Sequence, residues 1–327
     1  NTTTVMPNSV LHLKLTGSFE ERTNIDDTFA SLLGEEDLVM SSLEETLKAL
    51  KEGKTNNNIQ GVFIDCKVTT AGVATLYEIR EALVDFKESG KFVIAYGHEG
   101  ITQGDYYIAS VADSIILNPV GSVDIHGLTS SIPFFKNLLA KIGVEMQVLR
   151  VGTFKSAVEP YIATQASEAN RTATAAYLNS IWGNISASIA ESRGLSVEKL
   201  NELADGFLAT QPVEYLLENN LIDCLAYRSE VMDMLKEKVG QGENEDLRLV
   251  STAQVAGLAT NGFAAEKVAV IYAVGEIDGS SDAGIVSNTL VKDILKIAKD
   301  ESISGVVLRV NSPGGSAFGS EQIWAAL

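Results

Sequence analysis

The feature that most constrains this fold is a strand-and-helix unit that occurs twice. Residues 59–83 and 303–327 align without a gap at an offset of 244. Six of the 25 positions are identical, among them Ile59/Ile303, Gly61/Gly305, Ile79/Ile323 and Leu83/Leu327. Each segment reads as a short buried strand followed by a helix with apolar residues at helical spacing. A further strand and a glycine precede each, Leu11 to Leu15 before Gly17 and Val268 to Val274 before Gly275. The shared order argues for an internal duplication.

Around these units strands and helices alternate. Ser42-Leu-Glu-Glu45 reads as a capping box opening a helix, with Leu43, Leu47 and Leu50 on one face. Residues 92–96 and 114–117 read as further buried strands. Such alternation predicts an α/β fold with a largely parallel sheet. From Ser167 to Gly240 the pattern turns helical, with Pro212 at a helix start. A polar, Gly-rich stretch then predicts a linker over 241–265. The expected domains are a first repeat over 1–240, that linker, and the start of a second repeat over 266–327.

Length and composition narrow the functional classes. At 327 residues the chain has room for about two domains. Its net charge of −18 repels phosphate backbones, so a nucleic-acid partner is excluded from the expectations. Two cysteines and three separated histidines, His12, His98 and His126, make no disulfide framework, no HExxH and no zinc cluster. No stretch reaches the roughly 20 apolar residues that span a bilayer.

Asn311-Ser-Pro-Gly-Gly-Ser316 lies just past a buried strand, where α/β sheets place ligands. Its consecutive glycines can turn backbone N–H groups toward an oxyanion. Ser316 and Ser320 follow, and a helix starting near Phe318 puts Ser320 in its first turn. A plain Pro-Gly turn with serine caps is the competing reading. A Walker loop is excluded, because no GK[ST] follows. A serine nucleophile needs a base. His12 reads as a half-buried strand residue, and neither His98 nor His126 has an orienting carboxylate in a known triad order. A desolvated lysine is the other option. Lys155 stands out modestly, in Arg150-Val-Gly-Thr-Phe-Lys-Ser-Ala-Val-Glu-Pro160.

Two segments resemble a known family. Residues 148–161, VLRVGTFKSAVEPY, are similar to the lysine motif of the signal peptide peptidase A family in its long, tandem-repeat form, protease IV. Residues 308–321, LRVNSPGGSAFGSE, resemble its serine motif. The resemblance covers essentially the whole chain, with ASVAD at 109–113 and LNPVG at 117–121 as further landmarks. It implies tandem ClpP/crotonase-like repeats, the second truncated here, and a serine endopeptidase with a Ser-Lys dyad. In that reading Ser320 is the nucleophile, Lys155 the general base, and Gly314 and Gly315 the oxyanion region. No metal or organic cofactor is implied. The implied substrates are signal peptides already released from their precursors. A homo-oligomer, expected to be a tetramer, is implied too. So is a bacterial inner-membrane location with the catalytic part on the extracytoplasmic side. The native product is expected to be longer at both ends, with a membrane anchor before Asn1. Phe318-Gly319 departs from the small or hydroxyl residues of many members. A crotonase-type acyl-CoA enzyme and a non-catalytic relative are the alternatives.

Overall fold

Strand residues that alternate between two cores build the first unit's sheet. The computed structural model describes residues 5–22, 41–242, 244–259, 266–279 and 284–327. The chain divides into two units, residues 1–258 and 259–327. The first holds β1 (Ser9–Gly17), β2 (Phe19–Glu20), β3 (Ser41–Ser42), β4 (Ile59–Thr69), β5 (Phe92–Gly97), β6 (Gly100–Ile101), β7 (Ser114–Leu117), β8 (Ser122–Val123), β9 (Cys224–Leu225) and β10 (Leu249–Ser251). Six of these form one sheet in the order β10-β1-β4-β5-β7-β9, every neighbouring pair parallel. The fold is therefore α/β with a largely parallel sheet.

Successive strand residues point to opposite faces. Val62, Ile64, Val93, Ala95, Ile115 and Leu117 enter one core. Phe63, Ile94, Tyr96 and Ile116 enter the other. Burial on both faces is why these strands read as continuous apolar runs. Truncating Phe63 to alanine would cost about 3–5 kcal/mol.

The helices are α1 (Leu43–Thr55), α2 (Val73–Lys87), α3 (Gln103–Ala109), α4 (Lys136–Lys141), α5 (Glu159–Ile162), α6 (Glu168–Arg193), α7 (Val197–Asp205), α8 (Val213–Glu218), α9 (Arg228–Val239) and α10 (Thr252–Ala256). Leu50 of α1, Ile79 and Leu83 of α2, Tyr106 of α3 and Ile189 of α6 cover the first face. Val231 and Leu235 of α9 cover the second. Ser42 caps α1 as its motif predicts, its Oγ accepting the Glu45 N–H at 3.2 Å. No helix among the described residues is long and apolar enough to cross a membrane.

One buried ionic group ties sheet to helix. Asp65 on β4 is fully buried and accepts two hydrogen bonds from Arg228 of α9, at 3.0 and 2.9 Å. His12 Nε2 on β1 lies 3.1 Å from the same carboxylate, and its ring stacks on Phe63. Burial pushes the Asp65 carboxyl up, but His12 and Arg228 outweigh it and hold the group far below the carboxylate range. His12 is thus a sheet residue, as its strand position predicts.

The expected linker differs from what the chain does. Leu249, Val250 and Ser251 pair in parallel with Val10, Leu11 and His12, so β10 is the sheet's edge strand. Ser251 caps α10, whose Val255 is fully buried. A three-residue strand is too short to show any period, and the polar run 240–248 before it gives no warning.

The second unit holds β11 (Lys267–Val274), α11 (Ser287–Ile297), β12 (Ile303–Asn311) and α12 (Ala317–Ala326). Ile271, Ala273, Leu290, Ile294 and Ile323 form its core. β11 and β12 pair in parallel with the register of β1 and β4: Val268 faces Gly305 as Val10 faces Gly61, and the register shifts just before each pair. Their surroundings differ. Val62 and Phe63 are 0% exposed, whereas their counterparts Val306 and Val307 are 49% and 50% exposed.

Candidate active site

The loop after β12 is shaped by glycine. Gly314 has φ +105° and Gly315 φ +148°, backbone that side chains resist. A Cβ on Gly315 would also strike the Ile277 carbonyl. That carbonyl accepts the Ser316 N–H at 2.9 Å, and the Ile277 N–H donates to the Gly314 oxygen at 2.9 Å. The Gly314 N–H is occupied, donating to Ser312 Oγ at 3.1 Å. The Gly315 N–H has no partner among the described residues, nor do those of Ala317 and Phe318 in the first turn of α12. Of the two glycines singled out from sequence, only Gly315 therefore offers a donor for an oxyanion.

Ser316 caps α12, its Oγ accepting the Gly319 N–H at 3.0 Å. Asp278 packs beside this turn, so closely that a Cβ on Gly319 would meet its Oδ2. This explains the glycine at a position that departs from the family pattern. Asp278 accepts the Ser287 N–H and hydroxyl at 2.8 and 2.7 Å, bonds that hold its carboxyl below the usual value. Ser320 is exposed, its N–H bonded to the Ser316 oxygen at 3.0 Å, and its hydroxyl has no partner among the described residues. Its counterpart in the first unit is Leu76, only 6% exposed and packed in the core beside Gly104 of α3.

Lys155 lies in the first unit, on a loop before α5, and is exposed. Its carbonyl accepts Arg150 Nη1 at 3.2 Å. Arg150 sits 3.6 Å from Glu159, a buried carboxylate. Glu159 in turn accepts the Ser167 N–H and hydroxyl at 3.0 and 2.6 Å and Asn170 Nδ2 at 3.0 Å. Those bonds, the Ser167 backbone first, hold its carboxyl at about 2. The lysine loop is thereby anchored to the start of the long helix α6. From residue 126 to 158 no side chain is buried, and Leu149, Val151 and Phe154 are all exposed.

A third feature had almost no sequence signal. At the C-terminal ends of β1, β4 and β5 a cleft of about 530 Å³ opens, lined by Lys67, Val68, His98, Glu99 and Ile101 among others. Beneath it lies Asp105 of α3, fully buried, which accepts the Val68 and Thr69 N–H groups at 3.0 and 3.1 Å. Burial pushes its carboxyl up to about 6, against these bonds. Only Thr102-Gln-Gly-Asp105, a capping pattern, could have drawn attention to it.

Residues 85–242 match the family described as peptidase family S49, a span that includes Lys155. The chain carries a peptidase S49 domain. It is 36% identical to Protease 4 of Salmonella typhi over 296 residues, 88% of this chain and 48% of the relative. Protease 4 of Haemophilus influenzae is 32% identical over 317 residues, 93% of this chain and 51% of its own length. The chloroplastic serine protease SPPA of Arabidopsis thaliana is 27% identical over 81% of this chain and 40% of its own length. The chain thus spans about half the length of the curated relatives it matches. Its parallel sheet is consistent with the ClpP-like fold expected of an S49 protein.

Proposed function

We propose that this chain is part of a serine peptidase that uses lysine as its base. The observation that carries the reading is the S49 domain containing Lys155, in a chain whose strand-end glycine loop leaves the Gly315 N–H free. In the proposed reaction a serine hydroxyl attacks the peptide carbonyl while neutral Lys155 takes its proton. Lys155 then protonates the leaving amine, and the oxyanion rests on N–H groups such as that of Gly315. A water activated by the same lysine hydrolyses the acyl-enzyme. Ser320 is the proposed nucleophile within these residues.

A lysine acts as a base only in its neutral form. The apolar, uncovered stretch 126–158 supports burial of this loop in an assembly of copies, where desolvation favours a neutral amine. We propose a homo-oligomer on this ground; that it is a tetramer is proposed from the family resemblance alone. Released signal peptides are the proposed substrates, and an inner-membrane, extracytoplasmic setting the proposed location. A relative from Enterococcus faecium, 22% identical over 59% of this chain, is named putative signal peptide peptidase SppA.

A fluorophosphonate probe on the full-length enzyme, followed by peptide mapping, tests the reading. Label on Ser320 supports it in full. Label on a serine outside these 327 residues overturns Ser320 and leaves the peptidase standing. No labelled serine in an otherwise folded enzyme favours an acyl-CoA or non-catalytic role. Lys155→Arg should abolish turnover, because guanidinium remains protonated. A fully active variant would remove Lys155 from the mechanism.

A further inference from the structure

The cleft of the first unit has the position of a ligand site and lacks the parts of a catalytic one. It lies at strand C-terminal ends, where α/β sheets bind ligands. Its volume of about 530 Å³ falls in the range of small-ligand clefts, about 300–1,000 Å³. Val68, on its wall, is held at φ +69°, a conformation that a β-branched residue adopts only under constraint. The constraint is visible: the buried Asp105 carboxylate takes the N–H groups of Val68 and Thr69. Non-glycine strain of this kind concentrates at functional sites. Those same N–H groups are at the end of β4, as the glycine loop is at the end of β12. Spent on Asp105, they cannot hold an oxyanion.

The lining defines the ligand. Val68 supplies exposed apolar surface, over the buried Cys66 and Ile101. Lys67 and Glu99 are exposed at the cleft, and neither has an ion-pair partner among the described residues. Of the other charges, Arg228 is engaged by Asp65, and Asp124 lies 3.3 Å from His126, an ion pair only when that imidazole is protonated. An apolar wall flanked by the Lys67 ammonium and the Glu99 carboxylate, neither in an ion pair among the described residues, complements a small molecule carrying both charges at its two ends. We propose that this cleft binds short peptides with free termini, without cleaving them. The class matches what a peptidase releases, and to that extent the inference rests on the proposed activity.

Calorimetric titration of the chain with Ala-Leu-Ala provides the test. Saturable binding at one site per chain is expected. Lys67→Gln and Glu99→Gln should each weaken it by about tenfold or more, with thermal midpoints unchanged. N-acetyl-Ala-Leu-Ala-amide, which has neither charge, should bind more weakly still. In NMR spectra the His98 ring should shift on addition of the free peptide. No binding at millimolar peptide, or equal binding of free and blocked forms, overturns the proposal. So does binding untouched by both substitutions. Lys155→Arg should bind like the parent chain. An active enzyme that fails to bind Ala-Leu-Ala counts against this site alone, whereas binding by an enzyme with no reactive serine counts against the peptidase reading alone.

Discussion

Asp105 shows how one buried carboxyl sets a local pH response. Its ordinary value is 3.8, and burial raises it to about 6. Between these values the folded chain holds a proton that the unfolded chain has released. The stabilisation is fully present below about pH 4 and is lost as pH rises through about 6, amounting to roughly 3 kcal/mol. Asp65 acts in the opposite sense, since its depressed carboxyl stabilises the fold above its ordinary value and the benefit is lost toward strong acid. Urea unfolding of Asp105→Asn across pH 4 to 7 should lack the downward slope that the parent chain carries from Asp105; identical slopes would assign it to another group. Glu159 makes a different prediction. Because it braces Arg150 and the caps of α6, Glu159→Ala should cut the full-length enzyme's kcat at least about tenfold while probe binding at the serine persists in slowed form. Glu159→Gln should rescue part of the loss. Unchanged kcat in Glu159→Ala would mean that the lysine loop is positioned elsewhere.

At the level of elements, the two strand pairs share a register and differ in cover. β4 is buried on both faces, while β12 exposes Val306, Val307 and Val310. Amide exchange should therefore be markedly faster in β11 and β12 than in β4 and β5 of the same chain, by factors of about a hundred or more. Comparable protection would show that the second unit is covered in solution. The strands around 61–65, 92–96 and 114–117 were legible because burial on both faces leaves apolar runs, and that at 10–15 through its alternation. The cap at Ser42 was legible through hydroxyl chemistry. β10 was not, since three residues carry no period and its pairing is with a strand some 240 residues earlier. At the candidate site, Lys155 and the glycine loop were legible as motifs. The occupied N–H of Gly314 was not, because it depends on where the Ser312 hydroxyl turns. Nor were Asp105 and the φ of Val68, which come from tertiary contact alone.

For the molecule as a whole, the return of the chain at β10 has a topological consequence. Val10 faces Leu249, the Val10 N–H donates to the Arg248 oxygen at 2.9 Å, and Arg248 reaches the Pro7 carbonyl at 2.9 Å. Start and finish of the first unit are thus neighbours across one strand spacing. In the order of synthesis, β1 waits with one side open until residue 249 has been made, so the sheet closes last at the place where it began. The unit is, in effect, a ring with a nick. A circular permutant that bridges residues 5 and 258 with a flexible glycine–serine segment, and reopens the chain at the exposed turn around Gly90, should keep the same sheet order and unfold in a single urea transition. A permutant that loses its first transition or populates a half-folded state would show that the linear order of synthesis, and not only the final pairing, is needed to seat β1.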